Sequence, residues 1–321
     1  MFRLFRAWRR LRQLGILGMN QRNASFILDH NPRALYPLVD NKLRMDRLCR
    51  RIGVPTPVVY EEIRTPSMLR RVKDILENHE DFVVKPNRGS AGRGILVVMG
   101  RHGSQFVRHN GQRITIDQIR QHLADILSGM YSLGGTPDSA LLQQRVRLHP
   151  AFDPIAYRGI PDIRVIVYRN EPAMAMLRLP TNASNGRANL HQGGIGAGID
   201  LASGLTHHAV QHNRFVLGHP DTGMPVIGVR VPHWQDVLRM SRRVAEAAGL
   251  GYIGVDIVID AEQGPLLLEA NARPGLAIQI ANGQGLLPRL AEIDALKRRQ
   301  AEGEPAGSAS KQTETSLRRS A

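Results

Sequence analysis

The sequence is poor in cysteine, in aromatic residues and in long apolar runs. Cys49 is the single cysteine among 321 residues, so the chain forms no intramolecular disulfide and has no cysteine cluster for structural zinc. Aromatic residues make up 5% of the chain. No apolar stretch reaches the roughly 18 residues of a membrane span, and arginines interrupt the start, MFRLFRAWRRLRQLG, where a signal peptide is apolar. These absences favour a protein of the reducing cytoplasm over a secreted or membrane-spanning one.

Negative charge is also scarce. The chain has 43 Lys and Arg against 28 Asp and Glu, which gives a net charge of +15 and a pI near 11.0. Such a balance indicates an anionic partner, and nucleic acid, acidic lipid, nucleotide phosphates and acidic peptides all qualify. Nucleic acid is the least favoured of these, because aromatic side chains for base stacking are few and the basic residues beyond the N-terminus are spread thinly.

The N-terminus predicts a basic amphipathic helix. Phe2, Phe5, Trp8 and Leu11 fall on one helical stripe of residues 2–14. Arginines occupy many of the other positions: Arg3, Arg6, Arg9, Arg10 and Arg12. One interpretation is an interfacial helix on anionic lipid or a docking helix for a partner, which predicts peripheral contact with the inner face of a membrane. The other is a helix that packs on its own domain with its arginines in solvent.

The rest of the chain alternates helical and extended patterns. Helices are predicted over residues 40–53, 66–79, 114–127 and 233–249. Strands are predicted for DFVVKP, GILVV and LLQQRV, and hairpins for DIRVIVY with PAMAMLRL and for GYIGVDIVID with GPLLLEAN. We interpret the glycine-rich segment GRANLHQGGIGAG as a connection and the polar end of the chain as disordered. Antiparallel hairpins mixed with helices predict an α+β fold.

A lysine and a flexible basic loop follow the first of these strands in FVVKPNRGSAGRG. Lys85 supplies a compact positive charge for phosphate, while Gly89, Gly92 and Gly94 let backbone N–H groups approach oxygen atoms closely. A strand rather than a helix comes after the loop, which argues against both the P-loop and the Rossmann fingerprint. A solvated basic hairpin loop is the alternative interpretation.

Acidic residues converge in the second predicted hairpin. Glu269 and Asn271 are two positions apart and therefore point to the same face of a strand. Antiparallel pairing sets Asp256 opposite about residue 268, within reach of both. Two carboxylates in apolar strands repel each other and need a positive partner. Oxygen ligands at this spacing suit Mg²⁺, and a structural ion network with lysine or arginine is the alternative.

Several motifs follow one another in a fixed order: DNKLRMDRLCRRIGVPTP, FVVKPNRGSAGRGI, LLQQRV, DIRVIV, RANLHQGG, GVDIVID and LLLEANARPG. Over about residues 40–290 this order resembles the ATP-grasp carboxylate–amine ligases, most closely the RimK-type glutamate ligases and among them the alpha-L-glutamate ligase-like proteins. The resemblance implies an ATP-grasp fold, in which two α+β subdomains enclose ATP. Its expected parts are a basic helix with a shortened N-terminal region, a small subdomain with the glycine-rich loop, a large subdomain with the metal site, and a disordered tail: residues 1–39, 40–140, 141–299 and 300–321.

The resemblance also implies roles for individual residues. Residues expected to bind ATP are Lys42, Lys85, Gly89, Ser90, Gly92, Gly94, Gln143, Gln144, Arg145, Val146, Arg178 and Asn189. Residues expected to hold Mg²⁺, or Mn²⁺ in its place, are Asp256, Glu269 and Asn271. Arginines expected to act on the phosphates, the transferring phosphoryl group or an anionic acceptor are Arg164, Arg187 and Arg273, with Arg178 as a further candidate for the acceptor.

The implied reaction joins a carboxylate to an amine through an acyl phosphate, with ADP as product. The expected substrates are an amino acid, such as glutamate, and a peptide, a protein or a small metabolite, and relatives of this kind are often homo-oligomers. Two departures from the family pattern matter: Gln144 stands where relatives carry glutamate, and Arg273 replaces a small or uncharged residue. With a shortened N-terminal region, they motivate a second hypothesis, an ATP-binding scaffold or regulatory protein without ligase activity.

Overall fold

The computed structural model describes residues 2–89 and 92–302. Its α-helices are α1 (Phe2–Gln13), α2 (Met19–Gln21), α3 (Tyr36–Val39), α4 (Lys42–Arg51), α5 (Val72–Ile75), α6 (Ile116–Leu127), α7 (Trp234–Ala248), α8 (Ala277–Asn282) and α9 (Leu287–Ala301). A π-helical segment spans Arg22–Leu28, and 3₁₀ turns span Arg33–Leu35, Pro66–Arg71, Leu133–Gly135, Pro150–Ile155 and Leu190–Gln192. The predicted disorder of the tail concerns residues that are mostly outside the described ranges and stays a prediction.

The strands form two antiparallel sheets. They are β1 (Val59–Ile63), β2 (Phe82–Pro86), β3 (Leu96–His102), β4 (Gln105–Arg108), β5 (Arg113–Ile114), β6 (Ala140–Gln143), β7 (Asp162–Tyr168), β8 (Glu171–Leu179), β9 (Ile195–Ile199), β10 (Thr206–Gln211), β11 (Arg214–Phe215), β12 (Tyr252–Asp260) and β13 (Gly264–Asn271). The small sheet has the order β1-β6-β2-β3-β4-β5 and the large sheet the order β11-β10-β9-β8-β7-β12-β13. Helices and antiparallel sheets confirm the α+β prediction.

Both predicted hairpins lie next to each other in the large sheet. Strands β7 and β8 are joined by Arg169 and Asn170, whose φ angles of 48° and 65° are the left-handed values that a two-residue type I′ turn needs. Strands β12 and β13 pair from Gly254 opposite Asn271 to Asp260 opposite Gly264. Because β7 also pairs with β12, the two hairpins form a continuous four-stranded surface.

The large sheet is covered on both faces, which is why β7 and β12 are almost wholly buried. On one face, α7 packs its apolar stripe, including Val237 and Val244, against side chains such as Val165 and Val255. On the other face, α8, α9 and the N-terminal segment cover the end of the sheet that carries Tyr168. The positions four and six residues before Tyr168 on the same face of β7 are Arg164 and Asp162, so this second face changes along its length from apolar to charged.

Helix α4 packs into the core of the large sheet. Its side chains Met45, Leu48 and Cys49 join the same apolar cluster as α7. Burial raises the pKa of the Cys49 thiol to about 12, so this thiol stays protonated and acts as a small apolar side chain. The division into subdomains at residue 140 stays a prediction, because α4 lies before that residue and packs on a sheet formed after it.

The segment that follows α1 is firmly attached to the large sheet. The Gln279 side chain accepts a hydrogen bond from the Leu17 backbone N–H at 2.8 Å and donates one to the Leu17 carbonyl oxygen at 3.1 Å. The Asn31 side chain likewise forms hydrogen bonds with the backbone of Tyr252, the first residue of β12, and of Ala272, which follows β13. The predicted N-terminal helix is confirmed as α1, whereas the side chains of Phe2, Phe5 and Trp8 lie outside the described residues.

Two element predictions were wrong in part. Residues 195–198 of the segment interpreted as a glycine-rich connection belong to β9. Gly196 and Gly198 of this strand permit close packing on α8, since an added Cβ at either position would clash with neighbouring atoms. Residues 66–79 form a 3₁₀ turn followed by the short α5 instead of one α-helix. Within the described ranges, no helix is both long and apolar enough to cross a membrane.

Candidate active site between the two sheets

The three predicted metal ligands come together on the β12–β13 hairpin. Asp256 lies directly opposite Glu269, one position from the predicted partner, because a register irregularity follows Asp256. Asn271 lies on the same face and donates a hydrogen bond from Nδ2 to Glu269 Oε1 at 3.2 Å, which leaves its Oδ1 atom for another partner. The described residues contain no cluster of three His, Cys, Asp or Glu side chains suited to a metal, so the amide oxygen is an essential member of this set.

Asp256 is held by two arginines. Its carboxylate is buried and accepts hydrogen bonds from Arg164 Nε at 2.7 Å and Arg164 Nη2 at 2.6 Å. Arg178 Nη2 donates a third bond at 2.8 Å. Burial alone raises a carboxyl pKa, yet the two guanidinium groups hold the pKa of Asp256 well below its usual range. The ion network considered as an alternative to metal binding is therefore present at Asp256.

The sequence analysis missed a fourth member of this network, Asp162. Arg178 donates from Nη2 to Asp162 Oδ2 at 2.8 Å and makes a second bond from Nε to Oδ1. Burial raises the pKa of Asp162 to about 6, although Arg178 opposes that shift. We name Asp162, Arg164, Arg178 and Asp256 the buried quartet. A signal was present, because Asp162 precedes Arg164 by two residues in a predicted strand and so shares its face.

Two lysines lie across the cleft from this hairpin. Lys42 Nζ donates to the Gly89 carbonyl oxygen at 2.7 Å and lies 3.9 Å from Glu269 Oε2. Lys85 is buried at the end of β2, and its burial, with the nearby positive charge of Lys42, lowers its pKa to about 7. The lysines and the acidic hairpin predicted from separate motifs are thus brought together.

A cavity lies between the sheets beside these lysines. Its lining residues come from α4, the segment before β1, strands β1, β2 and β6 of the small sheet, and β13: Lys42, Met45, Asp46, Thr56, Pro57, Val59, Lys85, Leu141, Gln143, Leu267 and Leu268. Thr56 donates a hydrogen bond to Asp46 at 2.5 Å and fixes that carboxylate at the edge of the cavity. A wall that combines apolar side chains with a few fixed polar groups is typical of small-molecule sites in general.

Residues 143–146, all expected to bind ATP, form the hinge segment that leads from the cavity to the large sheet. Gln143 is buried and lines the cavity. The Gln144 side-chain oxygen accepts a hydrogen bond from the Val58 N–H at 3.2 Å, so this glutamine ties the hinge to the strand segment before β1. Arg145 pairs with Asp81 at 2.7 Å, and its side chain therefore points to the small sheet. Val146 packs in a small apolar cluster beside the second hairpin.

The glycine loop needs its glycines at two described positions. Gly92 and Gly94 have φ angles of 71° and 74°, which other residues rarely adopt. A Cβ at Gly94 would lie 2.6 Å from Cγ of Tyr131, so the loop passes closely over that ring. Ser90 lies outside the described residues. A Cβ at Gly92 would meet Arg187 Cδ at 3.9 Å, which places this predicted phosphate-binding arginine beside the loop.

The remaining predicted residues lie at the margin of the site. Asn189 begins a 3₁₀ turn and accepts a hydrogen bond from the His191 N–H at 3.0 Å, so its side-chain oxygen is already used. Arg273 follows the β12–β13 hairpin and is exposed, and its Cζ atom lies 5.2 Å from the centre of the Tyr36 ring. Among the described residues, neither side chain forms a hydrogen bond with the buried quartet. The roles predicted for Asn189 and Arg273 stay predictions.

Comparison with known proteins gives a family match. The profile described as sugar-transfer associated ATP-grasp matches residues 21–295. This match confirms the ATP-grasp family predicted from the order of the motifs. A ribosomal protein bS6–L-glutamate ligase of Salmonella paratyphi B is 25% identical over 269 residues, which are 83% of this chain and 64% of the relative. The chain thus spans less than two thirds of the length of the curated relatives it matches.

Solved structures with a similar chain path are also known. D-alanyl-alanine synthetase A from Vibrio cholerae aligns with 14% identity over 81% of this chain and 64% of that chain, with a TM-score of 0.48. The RimK domain ATP-grasp protein from Sphaerobacter thermophilus aligns with 12% identity over 82% of this chain and 70% of that chain, with a TM-score of 0.45.

Proposed function

The chain belongs to the sugar-transfer associated ATP-grasp family, and from that premise we propose that it is an ATP- and Mg²⁺-dependent carboxylate–amine ligase. The observation that supports this most is the convergence of Asp256, Glu269 and Asn271 on one hairpin, with Lys42 only 3.9 Å from Glu269. A site for ATP needs both charges, because metal-binding oxygens and phosphate-binding cations must meet at one point.

The donor set fits magnesium. Glu269 is partly exposed and keeps Oε2 free of hydrogen bonds among the described residues, while Asn271 presents its amide oxygen beside it. Asp256 has both oxygens engaged by arginines, so it acts as a weaker third ligand than an unpaired aspartate. When bound here, Mg²⁺ would neutralise phosphate oxygens and the charge that develops during phosphoryl transfer. Mn²⁺ accepts the same oxygen donors.

The proposed reaction has two steps. A carboxylate oxygen of the first substrate attacks the γ-phosphorus of ATP, the bond to the β–γ bridging oxygen breaks, and ADP leaves. The amine nitrogen of the second substrate attacks the acyl carbon, loses a proton, and displaces phosphate that carries the former carboxylate oxygen. Lys85 and Lys42 would hold the phosphates, and the glycine loop would exclude water from the acyl phosphate.

Arg187, which lies beside Gly92 of the glycine loop, would contact the transferring phosphoryl group. It is exposed and makes only a long, 3.4 Å hydrogen bond to Gln192, so its guanidinium is available to a ligand. Arg164 and Arg178, by contrast, are engaged with carboxylates, and their proposed contribution is to orient Asp256.

For the substrates, we favour an amino acid such as glutamate and a peptide or protein acceptor. The curated Salmonella relative is named as a ligase that joins L-glutamate to a ribosomal protein. The strongly basic composition supports an acidic acceptor peptide, because opposite net charges accelerate encounter. A small metabolite acceptor is the variant of this proposal with the same chemistry.

We extend the proposal to peripheral contact with an anionic membrane through α1. This helix has no acidic residue, its described side chains are exposed, and Leu11 and Leu14 are 49% and 51% exposed. Deletion of residues 2–13 should then reduce binding to vesicles that contain phosphatidylserine, and an unchanged bound fraction would return α1 to a role in protein contacts.

A second candidate function is nucleotide binding without ligation. The arginine pairing of Asp256 favours it, because a carboxylate that is already neutralised needs no metal for its stability. This candidate predicts tight binding of Mg-ATP and no release of ADP with any substrate mixture.

The test measures ADP release from Mg-ATP in the presence of amino acids combined with acidic peptides and a small-molecule extract. Glu269→Ala should abolish ADP release, whereas Glu262→Ala, a change of the same type in the exposed turn of the same hairpin, should leave it unchanged. ADP release by the Glu269→Ala protein at the parent rate would contradict the assignment of Glu269 to the Mg²⁺ site.

A further inference from the structure

Arg164 and Arg178, two of the arginines expected to bind an anionic substrate, are occupied. Arg164 makes two hydrogen bonds to Asp256, and Arg178 bonds to both Asp162 and Asp256. These side chains are 14% and 12% exposed. A substrate carboxylate would have to displace a buried carboxylate to reach either one, which is costly. An anionic substrate therefore needs other cations at the mouth of the site.

A different arginine lies beside Arg187, and the sequence analysis did not identify it. Arg158 is brought there by close backbone packing between two loops. A Cβ at Gly159 would lie 2.1 Å from the Gly186 carbonyl oxygen, and a Cβ at Gly186 would lie 2.5 Å from the Arg158 carbonyl oxygen. The glycines thus allow the loop before β7 and the loop after β8 to touch at the residues next to both arginines.

Neither arginine has an acidic partner. Among residues 2–89 and 92–302, no carboxylate forms an ion pair or a hydrogen bond with Arg158 or Arg187, and both side chains are exposed. Arg158 also has a φ angle of 53°, a left-handed conformation that costs free energy for a residue with a side chain. Such strain is maintained here by the backbone contact with Gly186.

A histidine at the end of β4 in the small sheet is within electrostatic reach of both arginines. His109 follows β4, and its Nδ1 atom is buried without a hydrogen-bond partner among the described residues. Burial lowers the pKa of His109, and the positive charges of Arg108, Arg158 and Arg187 lower it further. A buried polar atom without a partner is uncommon in a folded protein, so the Nδ1 atom can accept or donate one more hydrogen bond.

We propose that Arg158, with Arg187 and His109, forms a subsite for an oxyanion of the substrate that is not ATP, such as a carboxylate of an acidic amino acid or acidic peptide. This inference rests on the proposed ligase function and specifies its substrate class. An anion there would be attracted by the positive charges of both arginines and would accept the hydrogen bonds that their guanidinium groups can donate. Arg158 is then a binding residue for the substrate, and Arg187 lies between it and the glycine loop.

The test is calorimetric binding of glutarate, a dicarboxylate probe, to the full chain saturated with Mg²⁺ and the β,γ-imido analogue of ATP. Because the analogue fills the nucleotide site, glutarate reports on the substrate side. Arg158→Gln should weaken glutarate binding about tenfold, the loss typical of one charge-assisted hydrogen bond. Arg158→Lys should retain most of the affinity. Arg239→Gln, which removes an exposed arginine of α7, should not change it.

Separate titrations with ADP and with the imido analogue identify the source of the anion. The proposal expects both affinities to be the same in the parent and Arg158→Gln proteins. A loss confined to the analogue would place the γ-phosphate at Arg158 and overturn the proposal, as would unchanged glutarate binding in Arg158→Gln or no glutarate binding by the parent. Glutarate binding without ADP release in any mixture would contradict the ligase function and leave the anion subsite intact.

Discussion

Two groups of charged residues on the large sheet and its loops use arginine in opposite ways. In the buried quartet, Arg164 and Arg178 face Asp162 and Asp256, and every guanidinium has a carboxylate partner. On the two loops that touch at Gly159 and Gly186, Arg158 and Arg187 have no carboxylate partner among residues 2–89 and 92–302. The quartet is almost closed to solvent, with Asp256 only 1% exposed, whereas both of these loop arginines are exposed.

Burial explains the difference. A buried guanidinium loses its hydration and must be neutralised within the protein, so the quartet is electrically balanced before any ligand arrives. An exposed guanidinium stays hydrated in the free protein and remains available to bind an anion from solution. Whether an arginine is available to an anionic substrate therefore depends on its burial and on its existing partners, and its position in the sequence does not show this. Lys85 is intermediate, because it is buried and yet has no carboxylate within ion-pair distance among the described residues.

The largest expected effect comes from unbalancing the quartet. Asp256→Asn leaves Arg164 and Arg178 with one carboxylate between them, and we expect a loss of about 3–5 kcal/mol in the free energy of unfolding. Glu262→Gln breaks the exposed ion pair with Arg147 and should cost less than about 1 kcal/mol. Urea unfolding of both variants checks the difference. Equal losses would mean that burial does not distinguish the two kinds of pair.

A second, smaller effect concerns Lys85. Its pKa is lowered to about 7, mainly by burial, so above that pH the free protein has a largely neutral lysine there. Phosphate favours the charged form, and nucleotide binding near pH 8 should therefore take up about one proton. Calorimetry in buffers of different ionisation enthalpy measures that uptake. Lys85→Met should abolish it and weaken ADP binding about tenfold to a hundredfold.

The exposed Lys73 on α5 provides a matched control for Lys85. Lys73→Met should bind ADP with the parent affinity and with the parent proton uptake. Proton uptake that persists in Lys85→Met would assign the titration to another group and would contradict the position of Lys85 at the phosphates.

The third expected effect is the pH dependence that Asp162 gives to stability. Burial raises its folded-state pKa from 3.8 to about 6. Between these values the folded protein holds more protons than the unfolded protein, so this group's contribution to stability is present at low pH and is lost as pH rises through about 6. Asp162→Asn should remove this part of the pH profile in urea unfolding from pH 4 to 7. An identical profile would show that Asp162 is ionised throughout.

Sequence reasoning predicted that Asp256, Glu269 and Asn271 lie together because the pattern behind that prediction is local. The spacing of Glu269 and Asn271 fixes a common face, and a short turn fixes the partner of Asp256 to within one residue. The glycine loop and Lys85 were likewise predictable, since strands flank them directly in the sequence. Resemblance then connected these separate pieces before the structure brought Lys42 to Glu269.

Other features depend on contacts that no local pattern encodes. The arginine pairing of Asp256 and the meeting of Arg158 with Arg187 arise from packing between distant segments. Strand β9 was misread because its glycines are normally depleted in strands, and only the close packing of α8 explains them. The hydrogen bond between the Gln144 side chain and the Val58 backbone is another contact that the sequence could not indicate.

The most direct test of the central claim follows oxygen from substrate to phosphate. The carboxylate substrate found in the ADP-release screen is labelled with ¹⁸O in its carboxyl group, and the phosphate released during a single turnover is analysed by mass spectrometry. The acyl-phosphate pathway predicts one ¹⁸O atom in each phosphate formed by the parent protein. Unlabelled phosphate, formed at the same rate as ADP, would mean that water attacks ATP and would contradict the assignment of a ligase.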